Sequence, residues 1–223
     1  MHQPGSIPEL PQLESGVQLL ETPDRAVGPL QTLVLDHLLL DGGTAVWIDA
    51  LEYGTSVYLA EVAPSQRILD RIKIARGQTA YRHFSLVQSA VEQLTEDTNL
   101  IVAPAIDGLY RNDDVRGLEP KELMLRSLSR LAQYAREANT PVLTTRTRAD
   151  GFSAPIESLA TNTIEVHQTE FGARFESDDF ETLVYTNGQT MQTTLAYWKR
   201  ILKARQPIYG REGVQQTTTT VKS

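Results

Sequence analysis

Short, strongly apolar runs recur along the chain: TAVWIDA (Thr44–Ala50), IKIAR (Ile72–Arg76), NLIVAPA (Asn99–Ala105) and TPVLTT (Thr140–Thr145). Runs this short and continuous read as strands covered on both faces. Between them the apolar residues spread out to helical spacing. Leu30, Leu33, Val34 and Leu38 follow Pro29, which suits a first helical turn, and Gly42-Gly43 stops the run. A short helix is expected at PSQRILDR, an amphipathic one across His83–Thr95, and a longer one across Lys121–Ala138. Strands that alternate with helices build βαβ units around a mainly parallel sheet. The expected fold class is α/β.

Beyond Thr145 the pattern changes. TIEVHQ, GARFES and ETLVYTN alternate apolar and polar residues between polar turns, as antiparallel edge strands do. They would extend the sheet as hairpins, and a final amphipathic helix follows at Leu195–Ala204. Residues 1–15 are expected as a flexible N-terminal segment, 16–206 as one core domain, and 207–223 as a disordered tail, given the low hydrophobicity of GVQQTTTTVKS.

Composition removes several classes of function. The chain has no cysteine, so disulfides and thiolate chemistry are excluded. Histidines stand only at positions 2, 37, 83 and 167, with no pair at i,i+4, so no histidine metal site is expected. No apolar run reaches the roughly 20 residues of a membrane span, and neither a basic start nor an apolar core of a signal peptide is visible. No membrane partner is expected, and cytoplasmic residence is the default. A formal charge of −7 argues against nucleic-acid binding through bulk charge, although the C-terminal YWKRILKARQPIYGR is locally basic.

The stretch PDRAVGPLQTLVLDHLLLDGG (Pro23–Gly43) has the layout of a phosphate-binding loop, with a turn, a glycine and a helix ahead of a strand. Such a loop carries G-x-x-x-x-G-K-[ST]. Here Gly28 matches the second glycine, while Pro23 stands in place of the first, Pro29 in place of lysine and Leu30 in place of the hydroxyl. Proline removes an amide that would face a phosphate, and no side chain supplies charge at that position.

The order of these pieces resembles the ATPase core of the RecA/RadA recombinase superfamily, in particular short archaeal RadA-like paralogues. Three stretches carry the resemblance: Pro23–Ala50, Arg67–Leu94 and NLIVAPAIDGLYR (Asn99–Arg111). It implies a RecA-like, mainly parallel sheet flanked by helices, with an antiparallel extension. In the family the third stretch holds a magnesium-associated aspartate, whose place falls here on Pro104. The resemblance therefore implies a pseudo-ATPase with no cofactor and no metal, since phosphoryl transfer rests on electrostatic stabilisation that is missing. The family's loops after the last core strands touch DNA, so Arg146, Arg148 and Phe152 are candidate contacts. Lys199, Arg200, Lys203 and Arg205 form the densest basic cluster, near Tyr197 and Trp198. The apolar stripe Leu195, Trp198, Ile201 and Leu202 favours docking of that helix against the sheet.

Remaining features have bland readings. Asp49 is expected to cap the turn after its strand, Asp107, Asp113 and Asp114 to form a solvated acidic turn, and His37 to be a core or boundary residue. The N-terminal segment lacks a Phe-x-x-Ala motif, so self-polymerisation by that route is not expected. The functional expectation is a non-catalytic accessory protein of recombination or repair. Its partners would be a recombinase or RadA-like paralogue, and single- or double-stranded DNA. The alternatives are a protein-interaction scaffold without a DNA role, and an active ATPase with an unconventional loop.

Overall fold

A computed structural model describes residues 7–23, 25–111, 119–170, 172–185 and 195–209. Its strands are β1 (Gly16–Glu21), β2 (Thr44–Asp49), β3 (Ile72–Arg76), β4 (Thr98–Ala103), β5 (Pro141–Thr144), β6 (Asn162–Thr169), β7 (Gly172–Ser177) and β8 (Phe180–Tyr185). Its α-helices are α1 (Pro29–Asp41), α2 (Ser56–Val62), α3 (Ala80–Glu92), α4 (Glu119–Ala138), α5 (Ala154–Leu159) and α6 (Leu195–Arg205). The strands form one sheet in the order β3-β2-β4-β5-β1-β6-β7-β8. β1 to β6 are joined by parallel pairings, and β7 and β8 continue the sheet antiparallel. The α/β class is as the sequence pattern indicates.

Successive strand residues face opposite ways, and the core divides accordingly. Leu20, Trp47, Leu100, Val102 and Leu143 meet α1, α2 and α6 on one face. Leu19, Ile48, Ile101, Ala103 and Val142 meet α3, α4 and α5 on the other. Both faces are dry, which is why these strands lack polar alternation.

α1 is buried from Leu30 to Leu38, because the sheet lies on one side and α6 with the N-terminal segment on the other. Residues 7–15, set apart in sequence as flexible, bring Leu10 and Leu13 into this layer. α6 docks as its apolar stripe requires, with Tyr197, Trp198, Ile201 and Leu202 buried.

Some elements depart from the sequence expectation. GVQLLE is the central strand β1, hydrogen-bonded to β5 and β6. β6, expected as an antiparallel edge strand, is interior and parallel to β1. A further helix, α2, follows β2, and PSQRILDR, expected as a short helix, is a 3-10 turn over Gln66–Arg71.

Candidate functional site

Parallel pairing from β3 across to β6 places the carboxyl ends of β1, β2, β4 and β5 on one edge of the sheet. Open α/β sheets bind ligands there. Four loops meet at that edge: 22–28, 50–55, 104–107 and 145–153.

The first loop carries Gly28 at φ 107°, a left-handed region that disfavours side chains. A Cβ at this position would lie 2.6 Å from both Cδ1 and Nε1 of Trp198, whose indole covers the loop. The Gly28 amide donates to Gln31 Oε1 at 2.7 Å, and Gln31 Nε2 donates to the Tyr53 carbonyl at 3.0 Å. Leu30 N–H is taken by the Ala26 carbonyl at 3.2 Å, and Pro29 has no N–H. Of the amides at this helix start, those of Gly28 and Leu30 are thus used internally and that of Pro29 is missing. Arg25, the cation nearest in sequence, donates to the Leu51 carbonyl and lies 4.4 Å over the Tyr53 ring.

The loop after β2 is anchored by Asp49, which is fully buried. Its carboxylate accepts from Gly54 N–H at 2.6 Å, Trp47 Nε1 at 3.2 Å and Arg76 Nε at 2.8 Å. The turn-capping role read from sequence is the one it fills. Leu51 and Glu52 follow with φ of 55° and 61°, and Ala105 in the next loop has φ 46°. Left-handed backbone at residues other than glycine costs about 1–2 kcal/mol each and persists only where surroundings impose it. Here the imposing contacts run between loops. Ala105 and Ile106 amides bond to the Thr145 hydroxyl and carbonyl, and Leu51 packs on Gly108.

Asp107, expected in a solvated acidic turn, is fully buried. It accepts from Arg111 Nε at 2.6 Å, Thr147 N–H at 2.7 Å and Thr147 Oγ1 at 2.8 Å. The expectation failed because Arg111, one helical turn on, supplies the countercharge. Arg111 also grips Asp150 at 2.8 and 2.9 Å and sits 4.7 Å over the Phe152 ring. Hydrogen bonding to Arg111 holds the Asp150 carboxyl well below the usual carboxylate range. Asp113 and Asp114 lie outside the described residues. Pro104, at the position of the family's metal-associated aspartate, is buried directly after β4. Among the described residues, no group of three or more acidic or histidine side chains is placed to hold a metal ion.

The candidate nucleic-acid residues are scattered. Arg146 is only 9% exposed along its side chain and pairs with Glu21 and with Glu157, the latter at 2.9 Å. Arg205 is buried against Asp36. Both guanidinium groups are committed inside the protein. Arg148 is exposed, Phe152 is half-buried beneath Arg111, and on α6 Arg200 and Lys203 are exposed while Lys199 is partly covered.

No local pattern points to the buried polar chain that links His83, Tyr110 and Ser127. His83 Nδ1 lies 2.8 Å from the Tyr110 hydroxyl, which lies 2.9 Å from Ser127 Oγ. Burial pushes His83 down to about 4 and Tyr110 up to about 12. The other ring nitrogen of His83 has no hydrogen-bond partner. Gln31 was legible in principle, since a glutamine three residues after a helix-capping position can reach back to its amide. Trp198 was not, because nothing local ties it to Gly28.

A scan against protein-family models and a search of curated proteins found no match to this chain.

Proposed function

We propose that this chain is a RecA/RadA-like accessory protein of DNA recombination or repair, a pseudo-ATPase that engages a recombinase or RadA-like paralogue and DNA. The reading rests on the sequence resemblance and on one observation above others: the indole of Trp198 fills the space over Gly28. A strand, a glycine turn and a helix start stand in the order of a phosphate loop. Pro104 replaces a carboxylate. Nucleotide turnover needs cations and amides aimed at the transferring phosphoryl group; here the Gly28 and Leu30 amides are bonded internally, Pro29 has none, and no lysine follows Gly28.

Steady-state ATP hydrolysis by the purified chain, with and without single-stranded DNA, tests the reading. No turnover above the buffer rate is expected. Hydrolysis that disappears in Arg25→Ala, at unchanged melting temperature, would overturn it and favour an ATPase with an unconventional loop.

A second reading, an interaction scaffold with no DNA role, is favoured by the ion pairs that occupy Arg146 and Arg205. Gel-shift titration at two salt concentrations separates the two, because phosphate contacts weaken steeply with salt. The accessory reading expects salt-sensitive binding that falls when Arg148, Arg200 and Lys203 are changed together to Ala. The scaffold reading expects none.

A further inference from the structure

We propose that a groove at the amino-terminal edge of the sheet receives an extended peptide segment of a partner protein, one that alternates basic and apolar residues. The groove lies at the opposite edge from loops 22–28 and 50–55, and the inference does not depend on the nucleotide-site reading.

The groove encloses about 470 Å³, within the roughly 300–1,000 Å³ of sites that take ligands. Four parts of the chain build it: the N-terminal segment, the start of β6, the turn between β7 and β8, and the end of α6. Its apolar lining is Leu10 and Pro11, both buried, with Phe180 and Ile208 half-buried.

Acidic side chains enter from two of these parts. Glu9 and Glu14 come from the N-terminal segment, Asp178 and Asp179 from the β7–β8 turn, and all four are exposed. None of them forms an ion pair among the described residues. Arg205 also lines the groove, but its guanidinium is committed to Asp36 at 2.7 and 2.8 Å and to the Pro8 carbonyl. A cleft lined by one sign of charge concentrates ligands of the other.

Main-chain groups are open at the same place. β6 begins at Asn162, yet its pairing with β7 begins only at Glu165, opposite Glu176. Asn162, Thr163 and Ile164 pair with β1 on one side and, among the described residues, with no strand on the other. A strand left unpaired in this way takes an added strand through main-chain hydrogen bonds. Successive side chains of that added segment point to opposite sides. Its apolar residues then meet Leu10 and Phe180, and its basic residues meet the carboxylates.

These features together select the occupant. A small amine would leave the apolar lining and the open end of β6 unused, and the carboxylates repel nucleic acid. The chain's own residues 210–223 continue from beside Ile208, but they carry Arg211 next to Glu212, and Lys222 near the end, without alternation of basic and apolar residues. A basic, alternating segment of another protein matches charge, lining and strand end at once.

Fluorescence anisotropy of a labelled peptide, Gly-Arg-Leu-Lys-Leu-Arg-Gly, titrated with the full chain tests the proposal. Binding should saturate at low salt and weaken by about tenfold or more at high salt. Asp178→Lys with Asp179→Lys should weaken it by about tenfold or more, and so should methylation of both leucine amides of the peptide. Glu9→Lys with Glu14→Lys is the second charge-reversed protein, and circular dichroism checks that each is folded. No saturable binding at low salt would overturn the proposal, as would equal binding of a peptide with glutamate in place of its basic residues. Unchanged binding by the charge-reversed proteins would place the peptide elsewhere and overturn it. Equal binding of the methylated peptide would do the same by removing the strand pairing. Spermidine that competes as well as unlabelled peptide would overturn it by making the groove a site for any polycation. Arg211→Glu with Lys222→Glu should leave the affinity unchanged; tighter binding would make the chain's own tail the occupant and overturn it too.

Discussion

Arg205 of α6 grips Asp36 of α1 through two hydrogen bonds, at 2.7 and 2.8 Å, with both side chains at or below 5% exposure. The Tyr209 hydroxyl adds a bond to Asp36 at 2.6 Å, and the Pro8 carbonyl accepts from Arg205. One buried pair therefore joins the first helix, the last helix and the N-terminal segment. Removing one partner strands the other charge, which costs about 3–5 kcal/mol. Arg205→Met should lose that much in urea denaturation. The double change Asp36→Leu with Arg205→Met should recover more than half of the loss, because an apolar pair of similar volume leaves no unpaired charge. A single-variant loss below about 1 kcal/mol would mean that water reaches the pair.

Gly28 and Trp198 should be energetically coupled. Gly28→Ala forces a side chain into φ 107° and against the indole. The backbone term alone is about 1–2 kcal/mol, and the clash adds to it. In a Trp198→Ala background the clash is gone and only the backbone term remains. A double-mutant cycle by chemical denaturation should give a coupling of about 1 kcal/mol or more. Additive losses would place the indole away from the loop.

How much of this was written in the sequence depends on the range of the interaction. TAVWIDA and NLIVAPA were readable as strands because burial on both faces leaves a continuous apolar run. GVQLLE is just as buried, yet Gln18 interrupts it and Glu21 ends it. Each polar side chain has a distant partner, Asn162 for Gln18 and Arg146 for Glu21. The central strand was therefore masked by contacts that local pattern cannot show. β6 was misread for a related reason: its exposed residues at Glu165 and His167 imitate an edge strand, although β1 pairs with it in parallel. At the candidate site, the missing lysine and hydroxyl were plain in the sequence. The groups that fill the space, Trp198 above and Gln31 within, come from the fold. Asp107 was expected in water because its partners Arg111 and Thr147 are brought together only by the 3-10 turn Gly108–Arg111 after β4 and the loop after β5.

Stability should fall as the solution is acidified from about pH 6.5 to about pH 4. His83 has an ordinary value of 6.5 and is lowered by burial to about 4 in the folded chain. Above pH 6.5 neither state protonates it, so its contribution is fully present. Between the two values the unfolded chain binds the proton and the folded chain does not, so stability is lost as pH falls. The total is about 3 kcal/mol, from roughly 1.4 kcal/mol per pH unit. The Arg111–Asp150 pair behaves with the same sign at lower pH, because its carboxyl is depressed too. Urea midpoints measured from pH 7 to pH 4 should slope downward, and His83→Gln should flatten most of that slope. An unchanged slope would mean that the carboxylates alone account for it.

Arg146 and Arg148 stand two residues apart and should respond oppositely to substitution. Arg146 is 9% exposed along its side chain and ties Glu21 at the end of β1 to Glu157 of α5. Arg148 is exposed, and its carbonyl rather than its side chain holds Arg111 and Ser153. Arg146→Ala should lower stability by about 1–3 kcal/mol, since Glu21, 25% exposed, loses its charged partner, while Glu157, 62% exposed, contributes little. Arg148→Ala should stay within about 0.5 kcal/mol of wild type, as surface changes do. Thermal and urea melts of the two variants decide it. If Arg148 participates in nucleic-acid binding, its change should weaken DNA association without moving the melting temperature. The Arg146 change should move the melting temperature first, and a DNA effect from it at unchanged stability would mean that its ion pairs open when DNA arrives.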